Sequence, residues 1–277
     1  MRAQELALVR RVLGAGLVLA GFAGTAAAEG PTDANWGQLE YFFPTISSTA
    51  RLDSDTGGIG TEVHLEDDLG LTDRKGTPYI LLGSRFGSQN WRAEFEYYYL
   101  DRSATRTIQR DITWGDTTYS LGANINSTFN TNIYRLTGGY SFYHTPEAEA
   151  GVSVGFHVTD FKLALSGEGT GPAGLSFRTE SRTQLVPLPT LGAYGNYKLA
   201  QDWILHGRVD WLSLTYEQYH GSLTNLYVGA DWRFVPNWGV GLGYRYVNYR
   251  VTADKNSFHG EANYEFQGPT VYFAGAF

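Results

Sequence analysis

No cysteine occurs anywhere in the chain. That excludes disulfides, a thiolate metal site and a lipid-modified N-terminal Cys. Beyond the first 28 residues there is also no long apolar run, so nothing reads as a membrane-crossing helix. Basic residues are in deficit, with 21 Lys and Arg against 28 Asp and Glu and a formal charge of −7. A chain this acidic is a poor nucleic-acid candidate, and no nucleic-acid partner is expected.

What is present begins with a leader. Arg2, Arg10 and Arg11 precede an apolar run over residues 12–23, and Ala26-Ala27-Ala28 supplies an A-x-A cleavage site. This is the layout of a secretory signal peptide. A membrane anchor fits less well, because the apolar core is short and ends in small residues. The expected organisation is a signal peptide over 1–28 and one mature domain over 29–277. Removing the leader takes basic residues from 21 to 18 and acidic residues from 28 to 27, so the formal charge moves from −7 to −9.

The mature chain is built on a two-residue period. Residues 238–251 show it best. Trp238, Val240, Leu242, Tyr244 and Tyr246 share one parity; Gly239, Gly241, Gly243, Arg245 and Val247 share the other. Successive strand residues point to opposite faces, so this is one greasy face and one small or polar face. The greasy face has Trp at one end and Tyr at the other with aliphatics between, the layout of a strand crossing a bilayer between aromatic girdles. The girdle is expected to comprise Trp91, Trp203, Trp211, Trp232, Trp238, Tyr244 and Tyr246. Aromatics at 15% and 34 glycines suit many short, tightly turned strands. The negative mean hydropathy is no objection, since half of each such strand faces a polar interior.

The same alternation predicts strands over 36–47, 77–86, 91–114, 124–142, 152–159, 182–199, 203–211, 226–234, 238–251 and 258–277. Short turns are expected at 87–90, 144–149, 200–202 and 236–237. Long polar connections are expected at 48–76, around Gly115-Asp116, at 166–180, 216–223 and 253–257. Pro187 and Pro189 predict a bulge or weak pairing, because proline lacks the ladder donor. The last strand changes apparent parity near Gln267-Gly268, since Tyr264 and Phe266 match one face while Val271, Phe273 and Phe277 match the other; a bulge there would reconcile them. Alternating short and long connections are the mark of a transmembrane antiparallel up-and-down β-barrel, an all-β fold. The count is about ten strands, with eight as the alternative if the first hairpin is miscounted. A soluble closed barrel would turn the aromatic faces inward and leave strongly charged faces outside, a poorer fit.

The leader, the alternating strands and the terminal Val271-Tyr272-Phe273-Ala274-Gly275-Ala276-Phe277 resemble outer-membrane β-barrel proteins of Gram-negative bacteria. Residues 62–71, which contain Leu65-Glu66-Asp67-Asp68-Leu69-Gly70-Leu71, followed by Pro78, are similar to a segment of uncharacterised small barrels of that class. The resemblance implies an outer-membrane location, contact with lipid and lipopolysaccharide, and a C-terminal assembly signal at Phe273 and Phe277 read by the barrel-assembly machinery. It implies no activity. A monomer is expected.

Charge collects on the inward parity: Arg85, Arg92, Glu94, Glu96, Arg135, Arg208, Asp210, Asp231, Arg233 and Arg245, with Glu40 and Lys198. A ten-strand lumen is narrow, so these groups must pair or be hydrated. Their near balance predicts a salt-bridged plug, and a selective pore lining is the alternative. The function expected is therefore a structural or interaction barrel, or a narrow porin-like channel; an outer-membrane hydrolase of lipid A deacylase, phospholipase or omptin type is the other class. For that class His206 and His220 are the candidate catalytic residues, His220 lying near Glu217 and Tyr216. His206 shares a face with Asp210, but four residues along a strand is roughly 13 Å, too far for a hydrogen bond. No nucleophile motif accompanies either histidine. The acidic first loop (Asp53, Asp55, Glu62, Glu66, Asp67, Asp68, Asp73) does not complete a calcium loop and is expected to be solvated, with residues 67–71 forming a capped turn over the barrel mouth. Neither a cofactor nor a metal is expected.

Overall fold

The alternation is realised as strand nearly everywhere. The computed structural model describes residues 33–54, 58–87, 89–171, 174–216, 219–255 and 258–276. The leader, Phe277 and Glu217 lie outside them. In chain order the strands are β1 (Asn35–Phe42), β2 (Thr45–Leu52), β3 (Val63–His64), β4 (Thr77–Phe86), β5 (Trp91–Thr107), β6 (Ile112–Trp114), β7 (Thr117–Tyr119), β8 (Asn124–His144), β9 (Ala148–Gly171), β10 (Gly174–Ala200), β11 (Trp203–Tyr216), β12 (Tyr219–Val235), β13 (Trp238–Lys255) and β14 (Phe258–Ala276).

Ten of them form a ring: β1, β4, β5, β8, β9, β10, β11, β12, β13 and β14, each antiparallel to the next. The ring closes where β1 pairs with β14, from Trp36 opposite Ala276 to Phe42 opposite Thr270. Closure satisfies the backbone of the first and last strands, which a spanning sheet requires. Short turns gather at one end, periplasmic in a barrel of this architecture. Register shifts at Ser141/Tyr143, Lys198/Ala200 and Arg233/Val235 lie beside three of them.

The outward face is an apolar band. It includes Val152, Val154 and Phe156 on β9, Leu226 and Val228 on β12, and Val240 and Leu242 on β13, all exposed. Trp91, Trp203 and Trp238 open β5, β11 and β13, with Trp232 directly opposite Trp203. Trp211, Tyr244 and half-buried Tyr246 lie further along. From Trp203 to Trp211 is about 26 Å along the strand, a span that fits a tilted crossing of a bilayer core. Inside, aromatic rings lie flat on glycines of neighbouring strands. A Cβ on Gly241 would sit 2.1 Å from the Tyr272 ring, and one on Gly151 2.3 Å from that of Tyr194. The small residues on the inward parity therefore make room for inward tyrosines in a narrow lumen.

Several connections differ from the sequence reading. Residues 45–52 are β2, which continues the line of β1 past a break at Phe43-Pro44 and pairs with β14. The described parts of 166–180, 216–223 and 253–257 are strand and not loop. Pairing runs to Gly171 opposite Gly174, to Tyr216 opposite Tyr219, and to Lys255 opposite Phe258. The tip near Gly115 is real, with φ of 61°, a backbone conformation that suits glycine. Its hairpin β6–β7 does not extend the wall, however; it folds inward and buries Ile112, Trp114 and Tyr119.

No bulge occurs at Gln267-Gly268. Register against β13 is continuous, and Tyr264, Phe266, Thr270 and Tyr272 all face inward. The apparent slip arises because the lumen changes character along its axis. Its periplasmic half is charged. Its outer half is an apolar core of Phe42, Ile46, Tyr98, Leu100, Phe129, Ile133, Val247, Tyr249, Tyr264 and Phe266, joined by Leu65, Leu69 and Leu71 from the first loop. An aromatic there points inward as readily as out.

Candidate functional site

The charged half of the lumen gathers residues from nearly every strand of the ring. Inward parity on β5 presents Arg92, Glu94 and Glu96; on β8, Arg135; on β11, Arg208 and Asp210; on β12, Asp231 and Arg233; on β13, Arg245. Each is buried or half-buried. Deep in the barrel they converge on Glu96. Its carboxylate accepts from Arg135, Arg208 and the Tyr79 hydroxyl, and Arg245 stands 3.7 Å away. Asp210 takes Arg135 at 2.9 Å, Arg208 at 3.3 Å and the Asn225 amide at 2.9 Å. Glu94 lies 3.6 Å from both Arg135 and Arg208. Glu40 has Arg245 at 3.6 Å, and neither of its oxygens accepts a hydrogen bond.

A second layer lies toward the short turns. Glu149 accepts two bonds of 2.7 Å from Arg85 in a fork-to-fork pair, with Arg92 at 3.3 Å, the Ser141 hydroxyl at 2.5 Å and the Asn196 amide at 2.6 Å. Arg92 also binds Glu94 and is sandwiched between the Trp36 and Tyr194 rings, 4.6 and 4.3 Å from their centroids. Such stacking suits a planar guanidinium better than an ammonium. At the mouth, Arg233 bridges Asp33 and Asp231. Burial raises the Asp33 carboxyl above the ordinary aspartate value, and the Arg233 hydrogen bond and charge oppose this without cancelling it.

Among the described residues the lower lumen thus holds six guanidiniums (Arg85, Arg92, Arg135, Arg208, Arg233, Arg245) against seven carboxylates (Asp33, Glu40, Glu94, Glu96, Glu149, Asp210, Asp231). All ten network residues named from sequence stand in it. Four members were missed: Glu149, Asp33, His157 and Tyr79. Glu149 was read as part of a turn. Carrying the parity of Ser153 and His157 back two further steps would have found it. His157 lies 4.0 Å from Asp210 and meets the Tyr249 hydroxyl at 3.3 Å, at the junction with the apolar half.

The two candidate histidines are far apart in role. His206 is at the periplasmic mouth, held by Asn196 at 2.8 Å through Nδ1 and by Asp231 through Nε2. Its carboxylate partner comes from the neighbouring strand, not from Asp210. His220 lines the apolar outer half. The two are not brought together, and no hydroxyl is among the described contacts of His206. Among the described residues no group of His, Asp and Glu is placed to hold a metal. Phe273 faces out and stacks on Trp238, 5.1 Å between centroids.

The acidic loop is anchored and not simply solvated. Glu66 takes Arg102 at 2.5 Å and the Ser48 amide at 2.9 Å. Residues 64–70 make one helical turn, with the Asp68 and Gly70 amides donating to the His64 and Glu66 carbonyls. The turn packs its leucines into the barrel and not merely on its rim. Arg110 binds Asp68 at 2.6 Å from outside. Burial alone would push the Asp68 carboxyl up. The Arg110 and His64 amide hydrogen bonds, with Arg110's charge, outweigh it and hold the carboxyl below the ordinary aspartate value.

No protein-family model matches the chain, and no curated protein matches its sequence. Solved structures do match in fold. The outer membrane protease OmpT from Escherichia coli superposes with a TM-score of 0.59 at 12% identity, covering 90% of this chain and 98% of that one. The attachment invasion locus protein Ail of Yersinia pestis matches over 86% and 98% of the two chains with a TM-score of 0.34 and 10% identity. A mutant of TodX, a monoaromatic hydrocarbon channel, matches over 92% and 95% with a TM-score of 0.38 and 8% identity. At 12% identity the likeness to OmpT is one of architecture, a closed barrel.

Proposed function

We propose that this chain is an integral outer-membrane protein of a Gram-negative bacterium that serves as a closed, non-enzymatic barrel, its lumen sealed by ion pairs. One observation carries the reading: Arg135, Arg208 and Arg245 converge on Glu96 with almost no solvent exposure. The groups that would line an ion path already coordinate one another, which favours a plug over a pore. The apolar outward band and the barrel architecture support the membrane location. Contact with lipid and lipopolysaccharide at the girdles, and a monomeric state, belong to the same proposal.

Planar-bilayer conductance of the refolded mature protein tests it. The expected trace has no discrete steps. Steps from protein shown to be folded would overturn the plug and make Glu96 and Asp210 part of a selectivity ring. A hydrolase is the second reading, favoured by the His206–Asp231 contact backed by Asn196. It is the weaker one, because a base without a nucleophile in reach does not make a covalent catalyst. If the parent hydrolysed an ester or peptide, and a His206→Ala/His220→Ala double variant that still folds did not, the non-enzymatic reading would be lost.

A further inference from the structure

The outer half of the lumen is not fully packed. It contains a partly open cavity of about 450 Å³ whose lining is mostly hydrocarbon, including Trp114, Phe161, Leu163, Leu188, Tyr249 and Tyr264. An apolar cavity of about 150 Å³ already holds a benzene ring, and ligand sites run from about 300 to 1,000 Å³. The floor is closed by Tyr249, bonded to His157, above the ion-pair layer. Any route in must come from elsewhere.

The wall supplies one. The ladder between β10 and β11 runs from Ala200 opposite Trp203 up to Leu191 opposite Trp211 and ends there. Above that point β10 continues with β9, and β11 with β12. Two observations show the cavity reaching through this seam. Pro187 has the outward parity of β10 and Leu188 the inward parity, yet both line the same cavity. Leu214 shares the parity of buried Asp210, yet it is 41% exposed and also lines it. Pro187 and Pro189 sit just past the last pair, where a residue without an N–H suits a strand whose ladder has ended. The seam begins at Trp211, in the outer girdle, so it opens at the hydrocarbon boundary of the bilayer.

The lining is mostly hydrocarbon, so what the cavity takes is a hydrocarbon chain, and a polar head stays outside it at the seam, where the wall meets the outer girdle.

Resting on the reading of a lipid-embedded barrel closed below, we propose that this cavity binds a single-chain amphiphile of fatty-acid type, taken sideways from the outer leaflet through the β10–β11 seam. The hydrocarbon body lies against Phe161, Leu163 and Leu188, and the polar head stays at the seam above Trp211.

Photolabelling of the mature protein in phospholipid vesicles with a diazirine-bearing palmitic acid tests this. Crosslinked residues are mapped by mass spectrometry, with and without excess unlabelled palmitate. Labels are expected on inward Leu163, Leu188, Tyr249 and Tyr264, and they should be lost under competition. Outward Val154, Val228 and Leu242 should label regardless, as lipid-facing controls. A Cβ on Gly221 would sit 2.8 Å from Leu188 Cδ2, so Gly221→Trp places an indole across the seam. In that variant, checked for folding by its migration without heating, the inward labels should disappear and the outward ones persist. Labels confined to outward residues would overturn the site, with the plug still judged separately by conductance. Inward labels that survive Gly221→Trp would overturn the lateral route. Absence of labels even on the outward residues would overturn the lipid-embedded reading itself.

Discussion

Glu96→Ala is the sharpest test of the charged layer. Glu96 is buried and is the common acceptor for Arg135, Arg208 and Tyr79, with Arg245 at 3.7 Å. Removing it leaves Arg135 and Arg208 sharing Asp210 and Glu94, and Arg245 with only Glu40 at 3.6 Å. One negative charge is lost, so the layer goes from seven carboxylates to six against six guanidiniums. The number of cations is still matched, but the centre of the cluster is gone. Deleting one partner of a buried pair costs about 3–5 kcal/mol, because the charge left behind stays desolvated. An exposed pair would cost about 0.2–1 kcal/mol. Urea unfolding from phospholipid vesicles, followed by tryptophan fluorescence, separates these ranges. The salt response gives a second criterion. At about 1 M salt the screening length falls to about 3 Å, which weakens exposed pairs and hardly touches buried ones. A loss under about 1 kcal/mol that shrinks further in high salt would mean a hydrated layer, and the sealed lumen would be refuted.

Three further outcomes follow from other parts of the barrel. Arg92→Lys keeps the charge but loses the stack between Trp36 and Tyr194, and should cost about 1–2 kcal/mol in the same unfolding assay; an unchanged midpoint would deny the stack any role. Leu69→Ala removes a fully buried anchor of the first loop at a local cost of about 2–5 kcal/mol, and limited proteolysis should then cut within residues 53–76 while the wall strands stay intact. Asp68 has a carboxyl held low in the folded state, so its support for the helical turn is present above the unfolded aspartate value of about 3.9 and fades as pH falls through the lower folded value. Amide exchange at Asp68 and Gly70 should therefore rise only below about pH 4, and Asp68→Asn should remove that pH dependence.

Much of the architecture was readable because the two-residue period is local. Trp238 to Leu242 and Val152 to Phe156 each announce which face meets lipid without reference to any other strand. The same parity named the arginines and carboxylates of the lumen before their partners were known. Where reading stopped, the cause was parity that had lost its contrast. Tyr264 and Phe266 looked like lipid-facing residues after a bulge, because an inward aromatic and an outward one are chemically alike once the lumen turns apolar. The strands within 166–180 and 216–223 looked like loops, because strands standing above the bilayer have no lipid-facing apolar side.

The sequence by itself determined that strands alternate, that they cross a bilayer, and that charge lies inside. Those follow from the side-chain direction at each residue. Only the tertiary structure decided which charges meet, since Arg85 and Glu149 are 64 residues apart and share a site through closure of the ring. It likewise decided that the first loop fills the outer mouth, and that one ladder ends early and leaves a seam into an apolar cavity. Each of these depends on register between separate strands, and register is settled by how the whole ring packs, not by the period within any one strand.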